Sequence, residues 1–251
     1  MPFAKSGKNK IYYETIGNGK PLVLYHWSLT TLTSWYELGY VDQLKSKYQL
    51  ILPDALGHGK SDTPYGLEHY TLKQRVYDLV AVLDSANIDS CDFYGFSMGG
   101  WVGFGLPIYA EDRFNSIMIG AAHPLGSSMQ PIRDLITSGI ENGKDSFIND
   151  FESFFGKQTE KQKKEIQEFD LEALLNVAQD RENLEAHFPE MSGSKILLLV
   201  GENDLAFDSM KRCHQKLKGS TLKTFPDLDH AGLCIRPNFV VSNITKFIER
   251  G

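Results

Sequence analysis

Four short stretches of this chain are almost unbroken runs of apolar residues: residues 21–25, 48–52, 114–119 and 195–200. A strand with one face in water alternates apolar and polar positions, so runs of this kind predict strands buried on both faces. Between them lie patterns of helical period. These cover residues 35–47, residues 71–86 with Leu72, Val76, Leu79, Val80 and Leu83 at helical spacing, and residues 98–109 behind a glycine-rich turn. Strand and helix alternating along a chain predict an α/β fold, a mostly parallel central sheet flanked by helices on both faces. Residues 1–19 stand apart as an expected hairpin, in which the alternating run 11–16 follows the turn residues Ser6, Gly7, Lys8 and Asn9. Residues 124–191 also break the pattern, with helical signals at 132–140, 146–155, 160–169 and 171–178, many charges and no convincing strand. The expected organisation is a single domain over 1–251, with its core at about 1–123 and 192–251 and a small helical cap insertion at about 124–191.

Composition removes several function classes. With 41% hydrophobic residues in 251, the chain is long enough to bury a full core, which excludes disorder and coiled coil. The 26 basic and 32 acidic side chains give a net charge of -6, and the Lys and Arg are scattered, so no nucleic acid partner is expected. No stretch approaches the roughly 18 apolar residues of a membrane span, so no membrane partner is expected. The start, MPFAKSGKNK, lacks an apolar signal core, which points to a cytoplasmic protein. Cys91, Cys213 and Cys234 are odd in number and form no C-x-x-C pair, and Asp89, Asp92 and Asp112 have no His or Cys at metal-ligand spacing. No G-x-G-x-x-G opens a helix near the N-terminus. The expectation is therefore no cofactor and no metal.

Chemistry concentrates where a short apolar strand, starting at Cys91-Asp92-Phe93-Tyr94, runs into Gly95-Phe96-Ser97-Met98-Gly99-Gly100 and directly into a helix. The G-x-S-x-G pattern alone is weak. Between a strand and a helix it predicts a nucleophile elbow, a turn sharp enough to strain the serine backbone and to require glycine on either side. A serine hydroxyl is a poor nucleophile at neutral pH and needs a base, which in turn needs a third group to fix its tautomer. On an elbow of this kind the acid and then the histidine follow later in the chain. The strand 195–200 ends in Gly201-Glu202-Asn203-Asp204, making Asp204 the candidate acid, with Glu202 and Asp208 as weaker choices. A helix N-cap near Phe207 is the alternative use of Asp204. Beyond a further strand at 221–225, Asp227-Leu228-Asp229-His230-Ala231-Gly232 places His230 in a loop before the last helix, as candidate base. His69, His187 and His214 lie in helical or charged stretches and suit solvated surface. His123 follows the strand 114–119 and could line a pocket, but it precedes the acid in the chain.

Four motifs in this order resemble the α/β-hydrolase family over the whole chain: Asp54-Ala55-Leu56-Gly57-His58-Gly59-Lys60-Ser61, the elbow at Ser97, the Asp204 segment and the His230 segment. The resemblance implies that Asp54, His58 and Ser61 shape a turn at the edge of the site, His58 being structural. It also implies two backbone N–H donors for an oxyanion, one from Met98 and the other from the loop after residue 25. That loop reads His26-Trp27-Ser28-Leu29-Thr30-Thr31, with Trp27 where relatives carry glycine. Ser28 is the expected second donor and Trp27 the alternative. The indole of Trp27 narrows an acyl pocket, or twists the loop and moves the donor, or simply packs beneath the insertion. Phe147, Phe151, Phe154, Phe155, Phe169 and Leu174 recur at helical spacing, as expected for core between insertion and sheet.

The resemblance implies a serine hydrolase, carboxylesterase-like, that cleaves a small-molecule ester, thioester or lactone substrate through an acyl-enzyme on Ser97. Enol-lactonases, C–C bond hydrolases and cofactor-free perhydrolases share the same triad. Slow-turnover small-molecule receptors that signal through a protein partner share the fold.

Overall fold

The structure, a computed structural model, describes residues 3–250, with the side chains of Phe154 and Phe155 outside that description. Met1 and Pro2, part of the expected hairpin, also lie outside the described residues. The hairpin consists of β1 (Phe3–Ser6) and β2 (Asn9–Ile16). β3 (Lys20–Tyr25), α1 (Thr33–Glu37), α2 (Tyr40–Leu44) and β4 (Tyr48–Pro53) follow. Next come α3 (Leu72–Ser85), β5 (Cys91–Phe96), α4 (Met98–Tyr109) and β6 (Phe114–Gly120). The chain then leaves the sheet through β7 (Leu125–Ser127), α5 (Gln130–Asn142), α6 (Lys144–Phe155), α7 (Glu160–Gln167), α8 (Leu171–Val177) and β8 (Arg181–Asn183). It returns by α9 (Phe188–Met191) to β9 (Ile196–Gly201), α10 (Phe207–Lys216), β10 (Thr221–Phe225), α11 (His230–Cys234) and α12 (Pro237–Glu249).

The main sheet has eight strands in the order β1-β2-β4-β3-β5-β6-β9-β10. The pairs β1/β2 and β2/β4 are antiparallel, and every pair from β4 to β10 is parallel. The apolar runs work because successive side chains serve two cores. Val23, Ile51, Ile117, Ile119 and Leu198 face a cluster shared with α3, α4 and the inserted helices. Leu22, Leu24, Leu50, Leu52, Met118, Leu197 and Leu199 face the other, with α1, α2 and α12. Strand order reverses at β3 and β5, so the connections leaving their carboxyl ends diverge to opposite faces and open a crevice there. Both the loop after β3 and Ser97, immediately after β5, belong to that edge.

Three expectations are corrected. The helix expected over 35–47 is two short helices, because Gly39 takes a left-handed φ of 78° and starts α2 afresh. The segment 124–191 does contain strands: β7 and β8 pair antiparallel, Leu125 with Asn183 and Ser127 with Arg181, closing the inserted helices at their base. Strands of three residues are too short to show a periodicity. His230 is the first residue of α11, where Asp229 caps the helix by accepting the Gly232 N–H at 2.7 Å. The inserted helices supply core as their spacing implies, with Phe147, Phe151, Phe169 and Leu174 all buried in the cluster shared with α3 and α4. Among the described residues, no helix is long and apolar enough to cross a membrane, and no group of three or more His, Cys, Asp or Glu is placed to hold a metal ion. Cys91, Cys213 and Cys234 are free thiols, all buried.

Candidate active site

Ser97 sits between β5 and α4 with φ 52° and ψ -107°, outside the conformations that non-glycine residues ordinarily adopt. Hydrogen bonds on both sides hold it there: its N–H donates to Gly120 O at 2.8 Å, and its carbonyl accepts the Trp101 N–H at 2.9 Å. A Cβ on Gly95 would stand 2.3 Å from Gly99 O, and one on Gly99 would stand 2.3 Å from Tyr25 O and 2.8 Å from His26 O. Those are backbone atoms with nowhere to retreat, so the two glycines are required by the close approach of helix, strand and loop. Of the residues from Cys91 to Gly100, Ser97 alone is not fully buried.

Asp204 lies in the turn after β9, its side chain 1% exposed. Its Oδ1 accepts the Ala206 N–H at 2.8 Å and its Oδ2 lies 2.9 Å from His230 Nδ1. The carboxylate therefore serves both the turn into α10 and the imidazole. A carboxylate on Nδ1 fixes the proton on that nitrogen and leaves Nε2 unprotonated, as a base requires. The imidazole is 41% exposed and packs against Phe96, ring centroids 5.0 Å apart, beside Ser97. Ser97 makes no side-chain hydrogen bond among the described residues, so Asp204 and His230 are joined while the serine stands unengaged. The weaker acid candidates lie elsewhere: Glu202 is exposed and accepts from Thr224 Oγ1 at 2.8 Å, and Asp208 is exposed on α10.

The loop after β3 is held by two buried histidines. His26 Nε2 accepts the Ala55 N–H at 2.9 Å, so its proton sits on Nδ1 and goes to Trp27 O at 2.8 Å, which also accepts from Thr30 Oγ1. His58 Nε2 accepts the N–H of Leu29, whose φ is 61°. Both roles need neutral imidazole. Burial lowers the His26 pKa to about 4 and, with help from the neighbouring His26, that of His58 well below its usual value. Asp54 completes the clamp, accepting N–H groups of Leu32 at 2.8 Å and Lys60 at 2.9 Å, while Ser61 donates to Asp54 O at 2.7 Å. Burial raises the Asp54 carboxyl to about 6. Within this frame the Leu29 N–H is taken. The N–H groups of Trp27, Ser28 and Met98 meet no protein acceptor among the described residues, and Gly99 brings the Met98 turn against the loop.

Trp27 is partly buried, packed against the cluster on the α1/α2 side of the sheet. Its indole stands edge-on to Trp35 at 5.4 Å and to Phe96 at 5.7 Å. His123, beyond β6, is partly buried and accepts the Leu125 N–H at 3.3 Å, which turns the chain into β7. Burial and then Arg181 lower its pKa. Neither of two clefts is lined by the serine: one of about 330 Å³ lies between α5 and α6, and one of about 220 Å³ lies beside Trp101 and Val177. Sequence reasoning missed Arg75 and Arg181. Arg75 is buried on α3, with its guanidinium 3.6 Å from Met98 Sδ, and Arg181 on β8 stands 5.7 Å from the Trp101 ring. Neither belongs to a motif, and only the tertiary fold brings them to the elbow.

A strained serine stands at the carboxyl edge of a parallel sheet, beside a carboxylate–imidazole pair, on a fold that comparison with known proteins identifies. The family model for the alpha/beta hydrolase fold matches residues 20–165, more than half of the chain, and the protein belongs to that family. A cis-3-alkyl-4-alkyloxetan-2-one decarboxylase from Shewanella oneidensis is 35% identical over 126 residues, 48% of this chain and 39% of that protein. 3-Oxoadipate enol-lactonase 2 from Acinetobacter baylyi is 36% identical over 109 residues, 43% of this chain and 39% of that protein. The matched region thus spans about two fifths of the length of each of these relatives. Among solved structures, the enol-lactonase from Burkholderia xenovorans LB400 superposes with a TM-score of 0.82, covering 99% of this chain and 100% of the other at 22% identity, a likeness of fold.

Proposed function

We propose that this protein is a serine hydrolase that cleaves a small carboxylic ester, thioester or lactone through an acyl-enzyme on Ser97. The observation that carries the reading is the buried Asp204 held 2.9 Å from His230 Nδ1, next to a serine strained on an elbow. In this mechanism His230 Nε2 takes the Ser97 proton as Oγ attacks the carbonyl carbon, and Asp204 steadies the imidazolium that forms. The hydrogen bond from Ser97 to His230 forms when substrate is bound. The Met98 N–H and an N–H of the facing loop, Ser28 or Trp27, receive the developing oxyanion. Collapse of the tetrahedral intermediate expels the alcohol or thiol, which takes its proton from His230. In a lactone the leaving alcohol stays tethered to the acyl group. Water, admitted past the exposed edge of His230, then repeats the sequence and frees the acid. Helices α5 to α8 act as the cap over this edge.

The test is hydrolysis of p-nitrophenyl acetate and butyrate, with intact-mass analysis after a fluorophosphonate, on wild type beside Ser97→Ala. Steady turnover and a single adduct, both lost in the variant, are the expected result. An adduct without sustained turnover supports a receptor that acylates once. Absence of any adduct overturns the acyl-enzyme.

A further inference from the structure

Arg181 makes no hydrogen bond and no ion pair among the described residues, although it is only partly exposed. Its sequence neighbours do not compensate it. Asp180 is committed to Arg133 at 2.8 Å and to the Met129 N–H at 2.7 Å. Neither Asp180 nor Glu182, which line a cleft with Gln179 and Trp101, forms an ion pair with Arg181. Instead the guanidinium lies over the indole of Trp101, 5.7 Å from the ring centroid. Trp101 is one helical turn, ~6 Å, beyond Ser97, and its own indole N–H is buried without an acceptor.

A second cation stands behind the first. Arg75 is 2% exposed and is held by neutral acceptors alone, Tyr70 O at 3.0 Å, Val177 O at 3.3 Å and Met98 Sδ at 3.6 Å. The carboxylate on its own helix, Asp78, binds Ser6 and Gln74 and forms no ion pair with it. Burial and the charge of Arg75 lower the Arg181 pKa to about 10, which leaves Arg181 cationic at neutral pH. His123, beyond β6, feels the charges of both Arg181 and Asp204. A guanidinium held over an indole and free of hydrogen bonds has N–H groups to offer, and its planar fork matches a carboxylate.

We propose that Arg181, backed by Arg75, binds a carboxylate of the substrate, so that the ester or lactone cleaved at Ser97 also carries an anionic group a short spacer from the scissile carbonyl. This proposal rests on the acyl-enzyme reading above. The unpaired Arg181 is then half of an ion pair that the substrate completes.

Two esters of similar length test it, 4-nitrophenyl hydrogen succinate, which is anionic, and 4-nitrophenyl butyrate, which is neutral. Wild type is expected to favour the succinate in kcat/KM by about ten- to a hundredfold, the range of a charge-assisted hydrogen bond. In Arg181→Gln that ratio should fall close to one, chiefly through KM for the succinate, and Arg181→Lys should restore part of it. A wild-type ratio near one, or a ratio unmoved in Arg181→Gln, overturns the carboxylate subsite while leaving the acyl-enzyme intact. Calorimetric titration of the Ser97→Ala protein with monomethyl succinate decides independently of turnover. Saturable binding weakened at least about tenfold by adding Arg181→Gln supports the subsite, and its absence overturns it. Failure of both esters together with an unlabelled Ser97 overturns the acyl-enzyme reading instead.

Discussion

Replacing His26 with glutamine should make the stability of this protein respond differently to acid. His26 is fully buried, accepts the Ala55 N–H through Nε2, and holds its proton on Nδ1 against Trp27 O. Its pKa falls from 6.5 to about 4, chiefly through burial. Between those values the unfolded chain binds a proton that the folded chain refuses, so stability is complete above pH 6.5 and is lost as the pH falls toward 4. A displacement of roughly 2.5 units corresponds to about 3 kcal/mol, a large part of the 5–15 kcal/mol typical of a domain. Asp54 acts in the opposite sense. Its pKa is raised from 3.8 to about 6, so the folded chain gains stability as the pH falls through that window. The wild-type curve mixes the two, together with His58, whose shift has the same sign as that of His26. The difference between wild type and His26→Gln removes the common part, because glutamine offers an acceptor near the same place and does not titrate. Urea unfolding followed by tryptophan fluorescence between pH 7 and 4 should show the wild-type advantage shrinking by about 3 kcal/mol. A difference that stays constant with pH would refute a neutral, desolvated His26.

Other substitutions probe the rest of the frame. Asp204→Asn should lower kcat on a p-nitrophenyl ester by on the order of ten-thousandfold, with an unchanged melting temperature, because an amide no longer holds the proton on Nδ1; near-normal turnover would move the acid role to another carboxylate. Gly99→Ala should destabilise the protein by more than about 3 kcal/mol, since its Cβ meets Tyr25 O at 2.3 Å, and chemical denaturation reads this directly. Trp27→Gly should cost roughly 1–3 kcal/mol of packing against Trp35 and Phe96. It should also shift activity toward longer acyl chains across a p-nitrophenyl ester series, and an unmoved chain-length profile would place the indole outside the acyl pocket.

What the sequence revealed, and what it hid, follows the range of the interactions. Strands 21–25, 114–119 and 195–200 fall within a residue of β3, β6 and β9, because burial on both faces is written locally as a continuous apolar run. The elbow was legible for a similar reason: glycines two residues either side of Ser97 answer a steric demand set by its immediate neighbours. Asp204 and His230 were traceable because each closes a strand-to-helix turn on the same edge of the sheet. The division at Gly39 was hidden, since a single glycine inside an amphipathic pattern does not announce a left-handed turn. The β7/β8 ribbon is too short for any period. Arg75 and Arg181 lay further out of reach, because an unpaired guanidinium is recognisable only once every carboxylate around it has been placed.

These observations separate the parts of the site that must stay fixed from those free to vary. Gly99 packs against the carbonyls of Tyr25 and His26, so the elbow cannot shift without moving the loop that supplies the proposed second oxyanion donor. His26, His58 and Asp54 tie that loop to the turn after β4 through three backbone N–H groups, those of Ala55, Leu29 and Leu32. Charged imidazoles would lose the acceptors two of those bonds need, so rigidity of the frame depends on keeping both histidines dry. Strain at Ser97, of order 1–3 kcal/mol, persists because Gly120 and Trp101 hold its backbone and Gly99 packs against the loop. Trp27 and Arg181 stand at the margins, one edge-on among aromatics on the α1/α2 side, the other on a three-residue ribbon at the base of the inserted helices. Neither carries a backbone hydrogen bond of the clamp through its side chain. Under the proposed mechanism, substrate choice can therefore change at Trp27 and Arg181 while the geometry at Ser97 is preserved.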